Sequence, residues 1–495
     1  MTRLHAVLLL LGFGALGCGE VEVTCDDPVA CTCGPTRALP EGGCCPAWSV
    51  ADGGVCRVRT WTYPAASQVI GGPGARRVYA SIDGRGRGLF VWDEATVPGA
   101  DVVVVAEETD AGLSLRKPSA VLPGFAGMGV VIGGEAGDAV VSWRQSITGA
   151  EGDVYRSERA PDGTWTDPMS VADRVSSGEK AYEPRLAARP SGEILQVWNQ
   201  WYDGSHYGVA LARRKGPGEA WEGPSAEDDV LSPPSFFSNA PQVTVNGRGD
   251  ALVSWYQSAG SQLMAFMSER NGAEGAFSRP GVDDYLSAPG APVDNDPICN
   301  PKPALAEDGR SVVVWTQETG QGGVAVYLAS RDANGAWTQP ADLADTFSQP
   351  EGKCRDARAA FDPLGHLYVT WSEDTGTGAA VHLAERAPDG TWIHPGDRPL
   401  VLSTEGATQA ITPVLAVGRD GGVIVAWSEE VGDHFRVAAR RGSAAGFGLI
   451  EVLSPAGDHA LSPQVAIGGP KDRAAVVWIQ GEPTVGRVLF ATLAP

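Results

Sequence analysis

Eight times along this chain an apolar run ends in Trp and is followed two residues later by Gln or Glu. The segments are GLFVWDE at Trp92, AVVSWRQ at Trp143, ILQVWNQ at Trp198, ALVSWYQ at Trp255, SVVVWTQ at Trp315, LYVTWSE at Trp371, VIVAWSE at Trp427 and AAVVWIQ at Trp478. Successive tryptophans are 51, 55, 57, 60, 56, 56 and 51 residues apart. A fixed period of this size marks a supersecondary unit that cannot bury its own faces and must stack on copies of itself. By length alone 495 residues would fill several domains, but a repeat array absorbs them in one.

Within each unit a short strand such as PVLAVG meets a Gly-containing turn such as RDGG, and the Trp strand returns beside it as a β-hairpin. A third strand (HFRVAAR in the Trp427 unit) and a fourth follow, the fourth opened by Trp165, Trp221, Phe277, Trp337, Trp392 or Phe447. No long run has a helical period, and 64 Gly and 36 Pro suit tight turns between strands. The pattern predicts an all-β chain: a single eight-bladed β-propeller of four-stranded blades over residues 59–495.

After Trp478 only RVLFATLAP is left, one strand short of a full blade. RTWTYPAASQVI, with Trp61, copies GTWTDPMSVA around Trp165, so residues 59 to 70 are expected to complete the last blade and remove the free edge. Each strand Trp is expected to wedge between blades, where burying about 150–250 Å² of ring contributes roughly 4–6 kcal/mol before entropy costs. The Gln or Glu that recurs after every Trp points to a shared structural hydrogen bond, since a ligand would not touch all eight.

Ahead of the repeats, Arg3, the apolar stretch Ala6 to Phe13 and Ala15-Leu16-Gly17-Cys18 read as an export signal. The last four residues look like a bacterial lipobox, making residues 1–18 a lipoprotein signal and Cys18 the site of lipid attachment. An ordinary signal peptide cleaved nearby is the alternative. Gly19 after the cysteine resembles the pattern routed to the outer membrane, so the expected location is exported and lipid-anchored, periplasmic or surface-facing. Residues 19–58 form a small Cys-rich segment with Cys25, Cys31, Cys33, Cys44, Cys45 and Cys56. Eight cysteines besides Cys18 pair evenly in an oxidising compartment, with fifteen connectivities open to those six. Cys299 and Cys354 stand sixteen and seventeen residues before their tryptophans, equivalent places in adjacent blades, and are expected to form a disulfide.

Lys plus Arg number 38 against 60 Asp plus Glu, a net charge of -22, and no basic block interrupts the acidity. Such a field repels phosphate backbones, so no nucleic acid is expected as a partner, and the membrane is met through the lipid anchor only. No cofactor motif is present. Asp283, Asp284, Asp294 and Asp296 offer oxygens of the kind calcium takes, but their spacing fits no compact loop and they read as solvated acids.

The turns ERAPDGTW (Trp165 and Trp392) and RDANGAW (Trp337) resemble the Asp-box of sialidase-like, BNR-type propellers, a resemblance covering the repeats from about residue 59 onward. In that family the box is a structural turn, which implies a propeller and no chemistry at these residues. The family places Gly three residues before the aromatic, whereas Gly163 and Gly390 stand two before it. The arginine clamp and the Tyr, Glu and Asp of true sialidases find no matching motif here.

In a propeller the first strand of each blade lines the central channel. Thirteen residues before four successive tryptophans stand Arg185, Gln242, Lys302 and Arg358, a basic crescent at the channel mouth, whereas Tyr79, Val130 and Val414 hold that place elsewhere. Such a crescent suits a carboxylate or sulfate through charge-assisted hydrogen bonds; the competing reading pairs it with Glu183 and Asp356. Trp201 and Tyr207, in the most aromatic loop of the same sector, complete the candidate ligand site. Two function classes follow. One is a noncatalytic cell-envelope binding or scaffolding propeller, with an envelope glycan or protein as partner. The other is a carbohydrate-active enzyme, a sialidase-like glycoside hydrolase or lyase, with Tyr182, Glu183, Glu373 and Asp356 as the groups to inspect.

Overall fold

A computed structural model describes residues 48–52, 55–62, 70–95, 101–147, 152–177, 180–202, 206–224, 230–233, 237–294, 301–374, 376, 378–482 and 486–493. Chain contacts divide it into Met1–Arg59 and Thr60–Pro495. In the first part, Ser49–Asp52 and Val55–Val58 pair as an antiparallel hairpin, and Arg59 lies 5.7 Å from the ring centre of the buried Trp48. Cys18, Cys25, Cys31, Cys33, Cys44 and Cys45 lie outside the described residues.

The second part is all-β, with two short 3-10 turns and no α-helix among the described residues. It is built from propeller-like antiparallel units, numbered here 1 to 8 by their tryptophans in chain order. Unit 3 is representative, with Ala181–Ala188, Ile194–Tyr202, His206–Arg214 and Trp221–Glu222 hydrogen-bonded in sequence order. The Trp residue always sits on the second strand, and all eight are at most 1% exposed. Seven of them cluster with residues of a neighbouring unit: Trp143 of unit 2, for example, lies in one cluster with Val91, Val103 and Val105 of unit 1.

Departures from a plain four-strand repeat occur, among them a short extra strand beside the third in unit 6 (Leu400–Val401) and in unit 7 (Glu451–Val452). Units 5 and 6 run together as one sheet through a single parallel bridge, Val324 to Lys353. Unit 4 has three strands, and at Phe277 the expected fourth is reduced to a backbone bond from Ser278 N to Glu269 O (2.8 Å). In unit 8, Ala460–Gly468, Arg473–Gln480 and Arg487–Leu493 are joined by Trp61–Thr62, which pairs antiparallel with the C-terminal strand (Trp61 to Leu493). The core next to it mixes both ends of the chain, packing Phe90 and Trp92 of unit 1 with Val477, Val488 and Phe490.

The Trp-to-Gln/Glu bond is present in every unit. Indole Nε1 donates to Glu94, Gln145, Gln200, Gln257, Gln317, Glu373, Glu429 and Gln480 at 2.8 to 3.2 Å. The amide then ties down a loop, as when Gln317 Nε2 donates to Ala288 O (2.6 Å) and Ala291 O (2.8 Å). Gln317→Leu is expected to cost about 1–3 kcal/mol, because it strands the buried Trp315 N–H and leaves two carbonyls unmet; urea unfolding of the variant against the parent checks this.

A second ladder crosses the seams between units. Arg159 of unit 2 reaches Asp83 (2.5 Å) and Glu107 of unit 1, and Trp165 Nε1 donates to Glu107 (3.1 Å). Arg214 and Trp221 repeat this on Asp138 and Glu158, and Arg331 and Trp337 on Glu269. These arginines also lie over their own fourth-strand rings, at 5.9, 5.8 and 6.0 Å. Trp61 plays the same part in unit 8, donating to Glu451 of unit 7 (3.0 Å).

The Asp-box-like turns are structural. Asp162 caps Thr164 N (2.8 Å), Asp389 caps Thr391 N (2.9 Å) and Asp332 caps Asn334 N (2.9 Å). Gly163, Gly335 and Gly390 take φ of 92°, 88° and 92°, a conformation that favours glycine.

Candidate binding site

Every first strand whose start is described carries the same irregularity. A non-glycine residue turns left-handed: Arg77, Met128, Glu183, Ala240, Asp356, Thr412 and Ser462 have φ between 44° and 59°. The pairing register shifts there in each of the seven units. Such a bulge re-aims the side chains that follow it, and holding a non-glycine residue there costs about 1–3 kcal/mol each.

Just beyond the bulge, one residue per unit pairs with the residue before the Trp. The set is Tyr79, Val130, Arg185, Gln242, Lys302, Arg358, Val414 and Gln464. Seven stand thirteen residues before their Trp; Gln464 stands fourteen before Trp478 and is missed by counting. The hairpin turn of unit 8 is one residue longer, since Ile467 pairs with Ala474 where unit 7 pairs Val417 with Val423. The signal was in the sequence: a proline precedes this position at Pro184, Pro241, Pro301, Pro413 and Pro463 alike.

Two members of the set from distant units meet, and a third is near enough to act on both. The Arg185 guanidinium lies 5.9 Å from the ring centre of Tyr79, and Arg358 is close enough to feel both. Desolvation is the main influence holding Arg358 below the usual arginine basicity; Asp356 and Tyr79 oppose it, and Arg185 adds like-charge repulsion. Neither guanidinium forms an ion pair among the described residues. Arg185 donates only to the neighbouring Pro184 O (2.9 Å), and Arg358 Nε has no hydrogen-bond partner. Of the carboxylates expected to neutralise them, Glu183 is engaged elsewhere, accepting from Asn199 Nδ2 (3.1 Å) and Ala240 N (3.0 Å), whereas Asp356, 3% exposed at the bulge, acts on Arg358.

The other candidates stand nearby in different ways. Gln242 turns back onto Pro241 O (2.8 Å). Lys302 opens the first strand of unit 5 opposite Val314. Trp201 and Tyr207 face each other across the unit 3 hairpin, ring centres 4.7 Å apart, with Tyr182 (4.9 Å) and Phe237 (5.6 Å) edge-on to Tyr207 and Lys180 Nζ 4.9 Å above Trp201. Tyr182 precedes Arg185 by three residues on the same strand. Burial pushes the Tyr182 hydroxyl well above the usual tyrosine range, first by desolvation and then by Tyr207 and Glu183.

At the opposite ends of the first strands, residues of units 1, 2, 3, 7 and 8 line one cavity of about 420 Å³. An Arg419–Glu135 ion pair (2.5 Å) links units 7 and 2 across it.

Cys354 is a buried free thiol 3.1 Å from Ser348 Oγ, its pKa raised by desolvation and by Glu373; Cys299 lies outside the described residues. Asp284 caps Gly281 N (2.7 Å), and Asp296 also lies outside the described residues. Among the described residues no three His, Cys, Asp or Glu side chains converge as metal ligands would.

No family model matches the chain, and no curated protein does. Solved structures do align with it. Polysaccharide lyase Uly1 aligns at 10% identity over 82% of this chain and 94% of its own, TM-score 0.44. A PL25 ulvan lyase aligns at 12% identity over 72% and 89%, TM-score 0.44. The Hadza microbial sialidase Hz136 aligns at 13% identity over 87% and 92%, TM-score 0.36.

Proposed function

We propose that the chain is a noncatalytic cell-envelope binding protein, a closed eight-bladed propeller whose channel mouth takes the acidic group of a glycan. The observation that carries this reading is the Arg185 guanidinium lying 5.9 Å from the Tyr79 ring centre with Arg358 near enough to act on both, two arginines from units 3 and 6 that form no ion pair among the described residues, in a chain of net charge -22. Two like charges held together in a desolvated place are costly unless an anion shares them. A carboxylate or sulfate accepts from both, and the wall of Trp201 and Tyr207 offers an apolar face for a sugar ring.

Closure of the ring is supported by three contacts between the chain's ends: Trp61 on Glu451, Phe90 against Phe490 at 5.0 Å between ring centres, and Arg473 of unit 8 on Glu108 of unit 1 (2.5 and 2.7 Å). The proposed anchor is a lipid on Cys18, facing the periplasm or the surface from the outer membrane. The noncatalytic reading is favoured over hydrolysis or elimination because the candidate groups have other duties. Glu183 holds a neighbouring strand, Glu373 accepts from Trp371 Nε1 (3.0 Å), and Asp356 is buried at a bulge.

The test is binding of the protein without residues 1–18 to uronate-containing and sulfated oligosaccharides, beside an Arg185→Ala, Lys302→Ala, Arg358→Ala variant. With charge-assisted hydrogen bonds worth about 1.5–3 kcal/mol each, affinity should fall at least about a hundredfold in a variant that still folds. Equal binding by parent and variant refutes the reading.

A further inference from the structure

The seam between units 6 and 7 lacks what the other carboxylate-bearing seams possess. Glu385 sits at the third-strand position held by Glu107, Glu158 and Glu269 in units 1, 2 and 4, and Asp362 at the turn position held by Asp83, nine residues before its Trp. Where Glu107 and Glu158 receive an arginine and a tryptophan N–H, unit 7 offers neither. Its residue at the arginine place, pairing with Val423 as Arg159 pairs with Ala139, is Gly442, and its fourth-strand aromatic is Phe447. Phe447 fills the space: a Cβ on Gly442 would come within 2.5 Å of its ring.

Glu385 is therefore stranded. It is 2% exposed and its Oε1 has no hydrogen-bond partner. From its own unit, Tyr368 pairs with it on the second strand, His394 on the fourth, and Asp362 and His366 face it from the hairpin turn, bonded to each other at 2.9 Å. The Tyr368 hydroxyl is likewise without a hydrogen-bond partner. Among the described residues no titratable group of unit 7 acts on it: Arg441 binds Glu451 (2.5 and 2.8 Å) and Arg440 donates to Val401 O (3.3 Å).

We propose that the seam between units 6 and 7 is a pH-responsive joint, tight while Glu385 carries a proton and loosened when it ionises. Burial, partly offset by His366 and reinforced by Asp362, pushes the carboxyl from its ordinary 4.5 up to about 7 in the folded chain. The folded state thus holds the proton more tightly than the unfolded one. The stabilisation is complete below 4.5 and is lost as pH rises through about 7.

Hydrogen exchange at about pH 5.5 and about pH 8.5, corrected for intrinsic exchange, tests this on strands Ala379–Arg386 and Val423–Val431, with Asp153–Arg159 at the unit 1 to 2 seam as reference. The expected result is protection at least about tenfold lower at the higher pH in the first two strands, with no such fall in the reference. Glu385→Gln, which cannot ionise, should abolish the difference. Phe447→Trp, which restores the indole donor used at Glu107, Glu158 and Glu269, should narrow it. Equal protection of the parent at both pH values, an equal fall at the reference seam, or a fall of the same size in Glu385→Gln overturns the proposal. So does an undiminished fall in a folded Phe447→Trp protein.

Discussion

Arg159→Met is expected to destabilise the protein by about 3–5 kcal/mol at neutral pH, the cost typical of removing one partner from a buried ion pair. The guanidinium is fully buried and lies between Asp83 and Glu107, which are also buried. Removing it leaves Asp83 without its ion-pair partner and Glu107 with only the more exposed Arg87 at 3.9 Å. Glu107 keeps the Trp165 N–H, so the loss concentrates on net charge rather than on hydrogen bonding. The deficit should shrink in mildly acidic buffer, where the stranded carboxylates of the variant take up protons. Adding Glu107→Gln should recover part of it, since Gln still accepts from Trp165. Urea midpoints of the parent, the single and the double variant at two pH values check each step. A deficit independent of pH would mean that lost packing, rather than stranded charge, is the cause.

Trp61→Ala is expected to cost about 3–5 kcal/mol, the range for truncating a buried large aromatic. Its effect should reach far along the sequence. Trp61 is 8% exposed, pairs with Leu493, and bonds Glu451 of unit 7, which Arg441 also holds. Without it the strand Arg487–Leu493 becomes a bare edge, and bare edges recruit other chains. A chain starting after residue 62 should lose exchange protection in Arg487–Leu493 and Arg473–Gln480 and associate on size exclusion. A truncated chain that stays monomeric and fully protected would show that residues 61 and 62 are an appendage rather than a closing strand.

The repeat was legible because the strand tryptophans are core, and core residues keep both type and spacing when turns vary. The Gln or Glu two positions on was legible for a related reason: a buried indole N–H needs an acceptor at a fixed place. The basic crescent was located by counting, which works while the turn length holds and fails at Gln464, where unit 8 gains a residue. The seam ladder went unread although Arg159, Arg214 and Arg331 recur sixteen residues after their tryptophans. Charges on strands suggest solvent until the neighbouring unit is in place, and only then do Asp83, Glu107, Asp138 and Glu158 appear as partners. The approach of Arg185 to Tyr79 and Arg358 likewise joins units far apart in sequence, and no local pattern announces it.

The guanidinium pair is tested most directly by a crystal of the protein soaked in selenate, a sulfate analogue whose anomalous scattering marks its place. The account predicts a selenate held by both Arg185 and Arg358 beside Tyr79, lost in Arg358→Met. Selenate bound elsewhere on the chain with this place empty, or binding that persists unchanged in Arg358→Met, would contradict it.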